Sequence, residues 1–201
     1  MNRQIQKEET KQTIIATAMT LFAQQSYEKT SINMICKEAN LSKGIIYHHF
    51  KDKDQLYLTC LELAISDFQV EVLEQFEIKS SLEESLEYYF NLRKSYFDKR
   101  SVESGVYWFA TNYLPNHLKE EFKESHQDVV KRNRLIFISM LEGNQLQDEL
   151  NIESAIEYFE IVIHGMNLMD SNKDISKETY EFRENRIKQM MLVVLYGIIG
   201  R

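Results

Sequence analysis

The sequence is poor in the residues that build turn-rich and disulfide-linked proteins. Its 201 residues include six glycines, one proline and two cysteines. So little glycine and proline excludes a collagen-like chain and argues against an all-β fold, which needs frequent turns. The two cysteines, Cys36 and Cys60, cannot supply a disulfide framework, and both lie in apolar periodic segments. We therefore expect reduced, buried thiols in a cytoplasmic protein.

Long hydrophobic runs are also missing. The longest, Met190 to Ile199, has about half of the ~20 residues that a helix needs to cross a bilayer. The polar segment Met1 to Lys11 lacks the hydrophobic region of a secretory signal. The sequence therefore predicts no membrane partner. An apolar fraction of 43%, with 11 Tyr and 11 Phe, excludes a disordered chain.

Charge is unevenly distributed along the chain. The net charge of -7 would by itself argue against a nucleic-acid partner, because polyphosphate attracts positive surface. Residues 1–60, however, carry eight Lys or Arg against six Asp or Glu, a net +2, which leaves -9 on residues 61–201. A mildly basic segment is thus joined to a strongly acidic one, and the basic segment can meet phosphates.

Helical periodicity runs almost throughout the sequence, with apolar residues three and four positions apart. Two short helices are predicted near the N-terminus, about three residues apart, with Thr30 or Ser31 capping one and Ser42 the other. Asp52, followed by Gln55, has the pattern of a capping box for the next helix. We predict an all-α protein of about nine helices, whose N-terminal three-helix head contains a helix-turn-helix and precedes a larger helical bundle.

The second short helix has the two faces that a DNA-reading helix requires. Ile46 and Phe50, four residues apart, can dock it on the head. Its outward side chains are Lys43, Tyr47, His48 and His49. Gly44 leaves room for a DNA backbone or base edge, and Lys53 adds an ammonium beside the next helix N-terminus. Such a helix fits a DNA major groove.

Residues 8–60 resemble the TetR/AcrR family of bacterial transcriptional regulators, most specifically in the stretch from Gly44 to Leu56. The resemblance implies a dimeric DNA-binding repressor whose variable C-terminal domain binds an inducer and dimerises. It implies phosphate contacts from Tyr47, His49 and Lys53. Positions implied to face the bases are Lys43, Gly44, Ile45 and His48, and positions implied to approach DNA from the preceding helix are Ser31 and Asn33. The corresponding domains are residues 1–55 for DNA binding and 56–201 for ligand binding and dimerisation.

Three positions depart from the family pattern. Ser26 replaces a glycine that is usual before the tyrosine of the first turn, and Cys36 replaces a small alanine. Asn40 stands where glycine usually ends the second helix, and asparagine tolerates the left-handed conformation. The fold prediction is unaffected by these changes.

The acidic segment is rich in aromatic residues, and tyrosine in particular needs a polar partner when buried. An apolar ligand cavity with a few polar tips would use such residues, although a helical core would use them as well. The candidate pocket residues are Tyr89, Phe97, Tyr107, Trp108, Tyr113, Phe137 and His164. They favour an uncharged aromatic or lipophilic inducer.

The last two predicted helices carry more apolar surface than one face of a bundle requires. The apolar residues at helical spacing are Ile156, Phe159, Ile163, Met166, Ile187, Met191 or its neighbour Met190, Val194 and Ile198. Gly165 permits close backbone approach. These residues predict a two-fold interface with a second copy of the chain, with burial inside one chain as the alternative.

No catalytic pattern is present. We find no nucleophile–base pair, phosphate-binding loop or paired carboxylates with usable spacing, and His117, Glu120 and Glu121 fit a solvated face better than a metal site. We expect no enzyme activity, metal or cofactor. The sequence predicts a homodimeric repressor that binds a palindromic operator in double-stranded DNA and is released by a small-molecule inducer. The alternatives are an activator or DNA-binding protein without an inducer, and a helical small-ligand carrier with a degenerate helix-turn-helix.

Overall fold

The computed structural model describes residues 3–147, 150–170 and 177–199, apart from some side chains in the last two helices. Within these residues the protein forms nine α-helices, and the only β pairing is an isolated bridge between Leu146 and Ile199. The predicted all-α fold is therefore confirmed. The helices are α1 Arg3–Lys29, α2 Ile32–Ala39, α3 Lys43–His49, α4 Lys53–Phe68, α5 Leu82–Lys99, α6 Ser101–Tyr113, α7 Lys119–Leu141, α8 Ile152–Asp170 and α9 Lys177–Ile198.

The chain divides into two compact units. The first unit is residues 1–68 with 100–126, and it contains α1–α4, α6 and the first turns of α7. The second unit is residues 69–99 with 127–201, and it contains α5, the rest of α7, α8 and α9. Residues 100–126 thus pack with the N-terminal helices. The functional boundary at residue 55 stays a prediction.

The core of the first unit forms where α1 packs against α4 and α6. The apolar stripe of α1 is buried there, with Ile14, Ala18 and Phe22 fully inaccessible to solvent. Helix α6 approaches α1 closely at Gly105, where an added Cβ would lie 2.8 Å from the Cβ of Ala23. That contact explains a glycine in the interior of a helix, a position where glycine is otherwise unfavourable.

Helix α1 is interrupted at Ser26, just before the tyrosine of the first turn. Ser26 has φ 73° and ψ 169°, a backbone region that is essentially restricted to glycine. The departure from the usual glycine therefore falls on a position with a positive φ. Asn40, the other replaced glycine, ends α2 in the left-handed conformation, with φ 52° and ψ 43°, as expected.

Side-chain caps begin the three helices that follow α1. The backbone N–H of Met34 donates to Ser31 Oγ at the start of α2, and that of Ile45 donates to Ser42 Oγ at the start of α3. At α4, the Gln55 N–H donates to Asp52 Oδ1 at 2.8 Å. The predicted caps at Ser31, Ser42 and Asp52 are confirmed, and the cap at Ser42 marks where the turn between α2 and α3 ends.

In the second unit, α9 packs against α5 and α8. Its core contains Tyr89, Phe137 and Phe159, whose rings are in successive contact at centroid distances of 5.4 Å. Arg93 of α5 forms a paired hydrogen bond with Glu184 of α9, through Nε and Nη2 at 2.8 Å each. Both side chains are largely buried, so the contact joins these two helices through opposite charges.

Glycine and proline mark the two ends of α7. Gly143 follows α7 with φ 80°, a left-handed end that glycine adopts readily. Pro115 precedes a 3-10 turn at Asn116–Leu118, and α7 begins at Lys119. Among the helices that the structure describes, none has the length and apolarity to span a bilayer.

Candidate nucleic-acid interface

Helix α3 has one buried and one exposed face. Ile46 is fully buried and Phe50, which caps the helix, is 3% exposed, so both dock α3 on the first unit as predicted. The opposite face is open to solvent. Its exposed residues are Lys43, Gly44, Ile45, Tyr47 and His48. A rigidly held helix with an exposed polar face is the geometry that major-groove reading requires.

His49 occupies the C-terminal end of α3 and is half-buried. Burial lowers the pKa of His49 below its usual value, and the nearby positive charges of His48, Lys7 and Lys11 lower it further. A neutral imidazole still has one N–H, which can donate to a phosphate oxygen. The predicted phosphate contact of His49 is compatible with this position and stays a prediction.

Lys53, at the start of α4, is tied to the first unit by backbone oxygens. Its Nζ donates to the carbonyls of Tyr27 and Thr30, both at 3.1 Å, and lies 3.7 Å from the centre of the Tyr27 ring. Burial lowers the pKa of the Lys53 ammonium, while the carboxylates of Glu28 and Asp54 act in the opposite direction. Because an ammonium has three N–H donors, one is left for the predicted phosphate contact.

Asp54 connects three parts of the first unit. Its carboxylate accepts a hydrogen bond from the Tyr27 hydroxyl, and His117 Nε2 lies 3.2 Å from Asp54 Oδ2. The Tyr27 bond is the main cause that lowers the pKa of Asp54, and the bond and charge of His117 add to it. Burial and the same bond raise the pKa of Tyr27. The α1 kink, the α4 start and the turn before α7 are thus joined by polar contacts.

Sequence reasoning missed these contacts of Lys53, Asp54 and His117. The residues concerned are more than twenty positions apart, so spacing carries no signal of them. His117, which the sequence placed on a solvated face, is half-exposed but paired with Asp54. Within the part of the chain that the structure describes, no group of three metal-binding side chains is present.

The two predicted DNA-facing residues of α2 are both exposed. Ser31 uses its hydroxyl to accept from the Met34 N–H at 3.3 Å, so it caps α2. Both positions lie at the N-terminal end of α2, Ser31 as its cap and Asn33 in its first turn.

Basic residues of the head, which we define as residues 1–60, are largely without carboxylate partners. No described carboxylate lies within ion-pair distance of Arg3, Lys7, Lys11, Lys29, Lys37 or Lys43. Lys51 Nζ lies 4.0 Å from Asp52 Oδ2, which is at the limit of an ion pair. Beyond residue 60 many basic residues are paired. These pairs are Lys79–Glu77, Arg93–Glu184, Lys94–Asp98, Arg100–Asp67, Lys131–Asp128, Arg132–Glu74, Lys188–Glu87, and Arg134 with Glu153 and Glu160. The head therefore presents positive charge that phosphates can neutralise.

The predicted ligand-pocket residues fall in both units. In the first unit, Tyr107 and Trp108 are buried on α6, and Tyr113, at the end of α6, is half-buried. The Tyr107 hydroxyl lies 2.6 Å from Nε2 of His126, and burial lowers the pKa of that histidine to about 4. The predicted need of a buried phenol for a polar partner is met here.

In the second unit, Tyr89 and Phe137 are buried in ring contact, while Phe97 is half-buried. The Tyr89 hydroxyl donates to Asn133 Oδ1 at 2.7 Å, so this phenol also has a partner. The side chain of His164 lies outside the described residues. These aromatic residues contribute to the cores of the two units, and a pocket formed by them stays a prediction.

The predicted interface residues lie mostly inside the second unit. Those with exposure of 3% or less are Ile156, Phe159, Ile187, Met191 and Ile198. They are buried within one chain, which was the alternative reading of their apolar pattern, and their part in a two-fold interface stays a prediction. Ile163 and Val194 are half-buried, and the side chain of Met166 lies outside the described residues.

The outer face of α8 and α9 carries a different apolar set, of which sequence reasoning named only Met190, as the alternative to Met191. Its exposed members are Tyr158, Ile161, Met190, Val193 and Tyr196, and exposure is about two thirds for Ile161, Val193 and Tyr196. A Cβ added at Gly165 or Gly197 would meet no atom within 4 Å. Because residues 190–199 are apolar around the whole helix, periodicity alone did not distinguish the inward from the outward face.

Comparisons with known proteins agree with these features. Residues 14–60 match the family model for bacterial regulatory proteins of the tetR family. The chain is 37% identical over 70 residues to the transcriptional regulator HbdR of an Aromatoleum species, covering 35% of this chain and 31% of HbdR. It is 26% identical over 138 residues to the regulator QacR of Staphylococcus aureus, covering 62% and 71%. The match to HbdR thus spans about a third of that regulator.

The fold is shared over nearly the whole chain with solved regulators. The crystal structure of the transcriptional regulator FadR from Bacillus subtilis, in complex with stearoyl-CoA, superposes with a TM-score of 0.66 at 16% identity, covering 93% of this chain and 98% of FadR. Residues 14–60, which contain the helix-turn-helix, thus match the tetR family of bacterial regulatory proteins. Nearly the whole chain has the fold of the solved regulator.

Proposed function

We propose that the protein is a homodimeric DNA-binding repressor that acts on a palindromic operator and is released by a small-molecule inducer. The observation that carries this proposal is the exposed face of α3, held from behind by buried Ile46 and Phe50. Tyr47, His49 and Lys53 would hold phosphates, and Lys43, Gly44, Ile45 and His48 would face the bases. Ser31 and Asn33 would approach DNA from α2.

The charge of the head supports double-stranded DNA as the partner. Cations without carboxylate partners gain more from a phosphate than paired cations do, because no existing ion pair must be broken. Lys43 is the strongest candidate for reading a guanine, and the methyl groups of Ile45 suit a thymine methyl.

The outer face of α8 and α9 supports dimerisation. Exposed apolar surface of this kind marks a protein–protein contact, and a two-fold contact buries the same patch on both copies. A dimer places two recognition helices about one helical turn of DNA apart, which matches an inverted repeat.

Sequence composition and one relative support an inducer. FadR of Bacillus subtilis was crystallised with stearoyl-CoA, and the aromatic residues of this chain suit an apolar ligand. An inducer must bind the DNA-competent and DNA-incompetent conformations differently, with a coupling free energy of about 1–3 kcal/mol.

Selection from random duplexes of about 30 base pairs, or three helical turns, tests DNA binding. We expect the wild-type protein to enrich an inverted repeat. Lys43→Ala and Tyr47→Phe should each weaken binding to the enriched sequence by on the order of tenfold. Lys123→Ala, which removes an exposed lysine of α7, is the matched control and should have little effect. Failure to enrich any duplex would contradict the proposal and favour a ligand carrier with a degenerate helix-turn-helix.

The dimer is tested by sedimentation or light scattering. Introducing a charge into the outer face, as Ile161→Glu with Val193→Glu, should give a monomer with the helical content of the wild type. Leu135→Glu is the control, because Leu135 is an equally exposed apolar residue of α7. A monomeric wild-type protein, or a dimer that resists both changes, would contradict the assigned interface.

The inducer is tested on the complex between the protein and its enriched duplex. Stearoyl-CoA and a set of uncharged aromatic compounds would be titrated into that complex while DNA binding is followed by fluorescence anisotropy. Release of DNA by one of them, without unfolding, is the expected result. A complex that none of these compounds weakens would favour the alternative of a DNA-binding protein without an inducer.

A further inference from the structure

Helix α1 starts well before the matched family segment, and its first turns lie beside the helix-turn-helix. Gln6, Glu9, Thr10 and Thr13 form one side of an open groove whose other side is Leu41, in the turn between α2 and α3. The N-terminal half of α1 is thus placed next to the element that would enter DNA.

Three basic residues follow one face of this part of α1. Arg3, Lys7 and Lys11 are spaced by four residues, so they are neighbours along the helix, about 6 Å apart in rise. We call them the basic stripe. Arg3 and Lys7 are exposed, and Lys11 is half-buried.

The basic stripe continues the core-facing side of α1. Lys7 and Lys11 precede the fully buried Ile14 and Ala18 by seven residues, a spacing that returns to the same face of a helix. Where α1 extends past the core, this face changes from apolar to cationic. A face turned toward the rest of the head, and not away from it, therefore carries the charge.

Two residues of the stripe act electrostatically on the end of α3. Burial and the charge of His48 are the larger causes that lower the pKa of His49, and the charges of Lys7 and Lys11 lower it further. Glu8 acts on His49 in the opposite direction and accepts a hydrogen bond from Gln12 at 2.8 Å. Neither Glu8 nor Glu9 pairs with the stripe, and no other described carboxylate does so.

We propose that Arg3, Lys7 and Lys11 form a second phosphate-binding surface, which holds the DNA backbone beside the major groove that α3 enters. Two observations favour the DNA backbone as the partner of the stripe. Its positive charge is complementary to phosphate, and it continues the exposed face of α3. Phosphate contacts carry no sequence information, so the stripe would add affinity and orientation without changing the preferred operator. This inference rests on the proposed function.

The test compares full-length K7Q/K11Q with wild-type protein on a mixed-sequence duplex of about 30 base pairs, or three helical turns. Binding is measured by fluorescence anisotropy between about 50 and 200 mM potassium chloride. Glutamine preserves helix propensity, so α1 should keep its structure, which circular dichroism checks. K119Q/K123Q is the matched control: both lysines are exposed, have the same spacing, lie in the first unit and pair with no described carboxylate.

We expect K7Q/K11Q to weaken binding on the order of tenfold and to lower the salt slope by about 0.9 for each lost phosphate contact. The control should keep the wild-type slope. An unchanged slope for K7Q/K11Q, or an equal loss in the control, would overturn the phosphate-binding role of the basic stripe. The proposed function would stand in that case if Lys43→Ala still weakened binding. Absence of salt-dependent binding by the wild-type protein would overturn both.

Discussion

Basic residues of the head and of the second unit have different surroundings. In the second unit, Arg93 is buried against Glu184, and exposed residues such as Lys94 also have carboxylates nearby. In the head, the basic stripe and Lys43 lack such partners among the described residues. The same residue types therefore serve structure in one region and remain open to an external anion in the other. Net charge alone, -7 for the chain, conceals this difference.

The largest effect is expected where a cation is both buried and paired. Glu184→Ala removes the paired carboxylate from a largely buried guanidinium, which should cost about 3–5 kcal/mol in the free energy of unfolding. Urea denaturation measures the loss. The double variant Arg93→Met with Glu184→Leu should recover most of it, because an apolar pair replaces the ion pair. A loss below about 1 kcal/mol in Glu184→Ala would contradict the structural role of the pair.

Lys53 is the expected exception within the head. Lys53→Ala removes two charged hydrogen bonds to the carbonyls of Tyr27 and Thr30, together with the contact to the Tyr27 ring, and should lower the free energy of unfolding by about 2 kcal/mol. Lys43→Ala, an exposed head lysine without such contacts, should change it by less than about 0.5 kcal/mol. If both variants unfold at the same urea concentration, the carbonyl contacts of Lys53 do not stabilise the head.

A backbone change in the head should alter its stability without altering its charge or its affinity for DNA. Ser26→Gly replaces serine in a conformation that only glycine adopts readily, and should raise the free energy of unfolding by about 1 kcal/mol. DNA affinity at a temperature where both proteins are folded should be unchanged, because no charge is altered. Ser26→Ala, which keeps the Cβ, is the control and should bring no gain. A destabilised glycine variant would contradict the positive φ at this position.

The smallest effect is expected for an exposed pair. Lys94→Gln breaks the surface contact with Asp98, whose side chains are both well exposed, and should cost about 0.5 kcal/mol or less. The salt dependence of DNA binding should match that of wild type. A marked loss of DNA affinity in Lys94→Gln would contradict the comparison, because it would mean that a paired lysine of the second unit contributes to DNA binding as the head lysines do.

Local features of the fold were predictable from sequence because they depend on neighbouring residues. The caps at Ser31, Ser42 and Asp52 lie three residues before the amides they accept from. The sequence identified Ser42 and Asp52, with Ser31 as one of two candidates. The first turn, at Ser26 and Tyr27, is equally local. The cap at Ser42 fixes where α3 begins. The four-residue spacing of Ile46 and Phe50 then identifies the face that docks, and both residues are buried.

Features that depend on distant residues were not predictable in this way. Gly105 is required by the approach of Ala23, and His117 is paired with Asp54 across more than sixty positions. The outer face of α9 was also missed, since an evenly apolar helix does not indicate which side its own chain covers. In each case the missing information is the packing of one helix on another.

The anchoring of Lys53 by carbonyl oxygens, and not by a carboxylate, has a consequence for ionic strength. Dissolved ions screen the attraction between exposed lysines and phosphates beyond about 8–10 Å. Short contacts between a partly buried ammonium and peptide dipoles leave no room for an intervening ion shell. Concentrated salt should therefore elute the protein from DNA while its helix-turn-helix remains folded. The eluted protein should then bind DNA again once the salt is removed, without a refolding step.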